Sequence, residues 1–160
     1  MKRKVLILII IVTLAVIWGH SCMPPEVSSE ESGWVMTLIR PVLGVFVGPE
    51  NVTMFLVRKL GHFTEFFVFG AELMTLFWQR SFGQTKLSQK REMFLPGIFE
   101  RAGWLSAVCC AFLTAFIDET IQIFSGRGPM IQDVWLDTAG AAAGAAVLWV
   151  VLRLLASRKK

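Results

Sequence analysis

Three stretches of this sequence, residues 5–23, 104–124 and 133–155, are almost wholly apolar, and each is about long enough to cross a hydrocarbon core of ~30 Å. This feature limits the fold more than any other. A chain that spends so much of its length on such runs must bury them in lipid or in one another. Of the 160 residues, 54% are hydrophobic, which excludes an ordinary soluble domain of this size when the apolar residues come in runs. The formal net charge of +4 does not indicate nucleic acid, because the basic residues flank apolar runs and form no patch with aromatics.

Each run has recognisable ends. Lys2, Arg3 and Lys4 precede VLILIIIVTLAVIW, a pattern that also fits a signal peptide, but the later spans favour an uncleaved first helix over residues 5–23. Pro24 and Pro25 stop it, since proline lacks the amide donor and disfavours helix at the preceding residue. EVSSEESG then reads as an acidic loop. Residues 34–48, broken by Pro41, Gly44 and Gly48, read as an interfacial or re-entrant helix.

Residues 53–78 are long enough for a further span but carry ionisable groups. Arg58, His62, Glu65 and Glu72 fall at offsets that stack on one side of an α-helix, so this helix needs a polar interior to face. A polar, basic segment with Arg80, Lys86, Lys90, Arg91 and Arg101 follows. The expected architecture is all-α: an integral membrane protein of four transmembrane helices (5–23, 53–78, 104–124 and 133–155) with the extra interfacial or re-entrant helix, in a single domain over 1–160. Basic residues gather at both termini and in the 80–101 segment, which predicts a multi-pass protein of the cell membrane with both termini cytoplasmic.

That orientation gathers the ionisable residues. Arg58, Lys59, His62 and Glu65 enter from outside on one helix; Asp118, Glu119 and Gln122 leave on the next; Asp133 and Asp137 begin the last, after a turn holding Arg127. Glu72 lies deeper. Ionisable groups at membrane depth are costly, so an outward-facing polar pocket is a functional prediction. His62, Glu65, Asp118 and Glu119 are its candidate catalytic groups, with Glu65 one turn from His62 and placed to orient the imidazole. Arg58, Lys59, Gln122, Arg127, Asp133 and Asp137 are candidate ligand-binding groups. Guanidinium suits the phosphate of a lipid-linked precursor, but the acids here outnumber the bases and would repel a bare anion. A sealed ion-pair network is the plain structural alternative. A divalent cation on His62, Glu65 and Asp118 or Glu119 is a lesser option without recognised spacing, so neither metal nor cofactor is expected. Cys22, Cys109 and Cys110 form no disulfide or zinc pattern. GAAAG at 140–144 is a small-residue patch suited to close packing against another span.

RKLGHFTEF and DETIQIFSGRGPMIQDVWLDTAGAAAG, with the polar SCMPPEVSSEESG after the first helix, resemble the VanZ-like family of bacterial membrane proteins. The family commonly has Asn where this chain has Asp137. The resemblance implies a helical membrane protein, some of whose relatives are associated with teicoplanin resistance. It implies no settled reaction; the convergence of polar residues beside the lipid phase makes binding of a lipoglycopeptide's lipid part or of a lipid-linked cell-wall precursor the expected action. A hydrolase or transferase acting on a polyprenyl-linked or other lipid substrate remains the alternative reading.

Overall fold

The computed structural model describes residues 2–82 and 98–158 and, within them, is all-helical. Five α-helices follow in order: α1 (Arg3–Cys22), α2 (Pro25–Val47), α3 (Met54–Phe82), α4 (Ile98–Phe124) and α5 (Ile131–Ser157), with a 3₁₀ turn at Pro49–Asn51. Within the basic segment, residues 83–97 lie outside the described residues, as do Lys159 and Lys160.

Arg3–Cys22, Ala102–Phe124 and Ile131–Leu155 are long and apolar enough to cross a membrane. Their outward faces carry Leu8, Val12, Val16, Leu113, Phe116, Val147 and Leu154, all exposed. Apolar surface this continuous requires a non-aqueous neighbour. At 29 residues α3 is longer than any of these, but it carries Arg58, Lys59, Glu65 and Glu72 and is less apolar.

The centre of the bundle is the α3–α5 pair, with α4 against both and α1 packed on α3 and α4. Glycine makes the central contact possible. A Cβ added to Gly140 would lie 2.5 Å from the carbonyl oxygen of Phe63, and one added to Gly144 would collide with that of Phe67. The small-residue patch therefore seats α5 directly on the backbone of α3, within the chain. Around it, Phe66, Phe69, Leu73, Met74, Ala107, Ala111, Ala115, Ala141 and Ala145 are buried, with Leu6, Ile10 and Ile17 closing the α1 side.

One expectation is corrected. Residues 26–33 form no loop: they are the first turns of α2, which runs unbroken through Pro41 to Val47. Pro25 occupies the first helical position, where a missing amide costs nothing, and Glu26 in the first turn suits the helix dipole. Ser29, Ser32 and Thr37 turn their hydroxyls onto carbonyls one turn back, so polar composition does not interrupt the helix. Gly48, at φ 86°, ends it by donating its amide to Gly44. No residue of α2 is buried, and Trp34, Leu38, Val42, Val45 and Phe46 are exposed along it.

Candidate functional site

The ionisable residues meet at one end of the bundle, where α1 and α4 finish and α3 and α5 begin. Each element contributes by position. The last turn of α1 brings His20 and Ser21; α3 brings Arg58, Lys59, His62 and Glu65. From α4 come Asp118, Glu119 and Gln122, from the turn Arg127, and from α5 Asp133 and Asp137. They sort into an open cleft and a buried layer beneath it.

The buried layer is built around Asp118, which is 0% exposed. Ser21 donates to its Oδ1 at 2.7 Å and the Gln122 amide to its Oδ2 at 3.1 Å. The Gln122 amide also reaches Glu119 Oε1 at 3.2 Å, while Glu119 Oε2 accepts the Met130 backbone amide at 2.8 Å. Both oxygens of Glu119 are thus occupied, one within α4 and the other holding the Met130 amide just before α5. Lys59 and Asp133 form an ion pair at the same level. Asp137 is also 0% exposed, and neither of its oxygens has a hydrogen-bond partner; its neighbour is His62, with Nδ1 3.7 Å from Oδ2.

The cleft, about 260 Å³, opens between α1, α2 and α3, and its wall includes His20, Glu31, Trp34, Arg58, His62, Glu65 and Arg127. His20 Nδ1 and Glu65 Oε1 are paired at 2.9 Å. The backbone carbonyl of His20 accepts a hydrogen bond from Arg127 Nη1 at 2.8 Å. Arg127 is otherwise buried with an unpartnered Nε. Burial, and then the repulsion of nearby Arg58, hold its guanidinium below the usual arginine value, against the pull of Asp118, Glu119 and Asp133. It stays cationic, because even a lowered guanidinium keeps its proton at neutral pH.

This arrangement changes the pairing expected from spacing. Glu65 lies one turn from His62 but pairs with His20, and the carboxylate nearest His62 is Asp137, from another helix. The acid excess also divides by depth. Asp118, Asp137 and Glu119 lie in the buried layer and Asp133 is paired, leaving Arg58 and Arg127 to face Glu31 and Glu65 around the cleft. Glu72 sits deeper, accepting a hydrogen bond from Thr13 at 2.9 Å. His20 and Ser21 were not among the expected site residues. The available signal was a polar His-Ser pair closing an apolar run at the same end of the bundle.

Apolar outer faces, an all-helical bundle and polar groups collected at one end define the class: a helical membrane protein with a polar cluster among its helix ends. Within that class, the chain belongs to the VanZ/LLP1 family, whose model matches residues 6–153, nearly the whole chain. Neither a comparison with curated proteins nor one with solved structures finds a match.

Proposed function

We propose that the cleft binds the phosphate or pyrophosphate headgroup of a lipid-linked cell-wall precursor at the outer membrane face. By holding that lipid the protein lowers susceptibility to teicoplanin-type glycopeptides. One observation carries the reading: Arg58 and Arg127 stand together at the cleft, Arg127 with an unpartnered Nε and held below the usual arginine value by burial and then by its like-charged neighbour. An anion between two guanidiniums relieves that repulsion and uses their forked donors. The cleft volume of about 260 Å³ is below the ~300–1,000 Å³ of pockets that enclose whole ligands. A headgroup fits it, with the lipid tail left in the bilayer; the body of a glycopeptide does not.

In this reading α3 is the fourth span, its charges shielded by α1, α4 and α5. The basic termini lie in the cytoplasm and α2 lies in the outer interface with Trp34 and Phe46 toward lipid. The purified protein in detergent should bind polyprenyl phosphate, measured by native mass spectrometry. Arg58→Gln with Arg127→Gln should weaken binding by about tenfold or more, the loss expected for charge-assisted hydrogen bonds. Equal binding of the uncharged polyprenol, or no effect of the double substitution, defeats the proposal.

The alternative, a hydrolase or transferase on the same lipid, draws on His62, which lines the cleft while standing 3.7 Å from buried Asp137. It requires turnover of the bound headgroup, and phosphate release by the wild-type protein separates it from binding alone.

A further inference from the structure

His62, Asp118 and Asp137 come from three different helices, and one ligand atom from each lies within 4.8 Å of the other two. Two features of this cluster do not fit a closed ion-pair network. The first is Asp137: fully buried, both oxygens without a hydrogen-bond partner, and with only the His62 imidazole, 3.7 Å away and itself buried without a hydrogen bond at Nδ1, to balance its charge. Buried carboxylates in folded proteins are hydrogen-bonded or paired, since an isolated one is strongly disfavoured. The nearby cations do not resolve this, because Lys59 is paired with Asp133 and Arg127 donates to the His20 carbonyl.

The second is the spacing. The 3.7 Å between His62 Nδ1 and Asp137 Oδ2 is too long for a hydrogen bond, whose range is about 2.7–3.2 Å. It is close to the ~3.4 Å that separates two ligands of one tetrahedral ion with bonds near ~2.1 Å. The surroundings also suit an ion. Ser21 and Gln122 hold the two oxygens of Asp118 from behind, as supporting groups orient a metal-binding carboxylate. The close seating of Gly140 on Phe63 fixes Asp137, one turn earlier on α5, beside His62 on α3.

We propose that His62, Asp118 and Asp137 bind one divalent transition-metal ion, replacing the metal-free expectation from the sequence. One imidazole and two carboxylates select a first-row ion over Ca²⁺ or Mg²⁺, with Zn²⁺ held more tightly than Mn²⁺. Three protein ligands leave a further coordination position. His62 also lines the cleft to which Arg58 and Arg127 belong. The site does not depend on the lipid-binding proposal, and its test contains no lipid and no drug.

The protein is purified in detergent with Cys22, Cys109 and Cys110 replaced by Ser, because all three are exposed and thiolates capture zinc. After chelator treatment it is titrated with Zn²⁺, followed by elemental analysis and thermal unfolding, and separately with Mn²⁺, followed by electron paramagnetic resonance. The expected result is one Zn²⁺ per chain with a raised unfolding temperature, and weaker Mn²⁺ binding at the same stoichiometry. Asp137→Asn and His62→Gln should lower affinity by about 100-fold or more, and Ser21→Ala by about 10–100-fold through loss of a supporting hydrogen bond. Glu65→Gln should bind like the parent. Substoichiometric binding of both ions by the parent protein overturns the proposal, as does parent-like affinity in Asp137→Asn. Loss of binding in Glu65→Gln places the ion elsewhere and overturns it too. Should Asp137→Asn fail to fold, the parent stoichiometry and the Ser21→Ala affinity decide between the same outcomes.

Discussion

Ser21 and Glu119 show how little a residue's type says about its work at a membrane helix end. Ser21 is fully buried and donates a hydrogen bond to Asp118, so Ser21→Ala leaves a buried carboxylate oxygen one donor short. A cost of about 1–3 kcal/mol is expected, read as a lower midpoint of thermal unfolding in detergent. Glu119 looks like a catalytic acid in the sequence, yet both its oxygens are spent on Gln122 and the Met130 amide. Glu119→Gln keeps an oxygen for the Met130 amide and loses the bond from Gln122, so a stability loss of about 1 kcal/mol is expected. Lipid binding should be retained. An orders-of-magnitude loss of function in a fully folded Glu119→Gln protein would instead assign it a chemical role. The sequence shows which residue types reach this end of the bundle, because helix offsets and span boundaries are local properties. It does not show partners. Glu65 and His20 are 45 residues apart and Ser21 and Asp118 are 97 apart, separations that only packing brings together.

Among the helices, α5 is the one the others depend on, through the two glycines that rest on the α3 backbone. Gly144→Leu should push the pair apart and strip the contact that sets Asp137 beside His62, with a loss of about 1–3 kcal/mol or more. Ala139→Leu, on an exposed position of the same helix, should stay within about 0.5 kcal/mol. Folded yield and unfolding midpoint check both; equal tolerance would remove the close approach as a determinant of the fold. The GAAAG patch was legible as a close-packing surface because small residues at helical spacing let another helix approach, although the sequence left a second copy of the chain as an alternative partner. The beginning of α2 was not. Its serines and glutamates resemble a loop in composition, but proline at the first helical position and hydroxyls bonded one turn back make a helix from the same residues. Composition records polarity, and here a polar stretch with no buried side chain is helical all the same.

For the molecule as a whole, the account depends on which side of the membrane the polar end faces. Cys22 closes α1 at that end and is exposed, whereas Cys109 and Cys110 lie farther along α4 from its polar end. With Cys109 and Cys110 replaced, a membrane-impermeant maleimide applied to intact cells should label Cys22; labelling only after lysis would invert the proposed orientation. The apolar runs, the family and the gathering of charge could all be read from the sequence, since each depends on residue order alone. The division into a cleft and a buried layer could not, because it depends on how α1 closes over α3 and α4. The most direct test of the central claim is teicoplanin susceptibility in a sensitive Gram-positive host, comparing empty vector, wild type and the Arg58→Gln/Arg127→Gln protein at matched membrane abundance. Wild type should protect and the double variant should not. Protection by both, or by neither, contradicts a cleft that works by holding an anionic lipid headgroup.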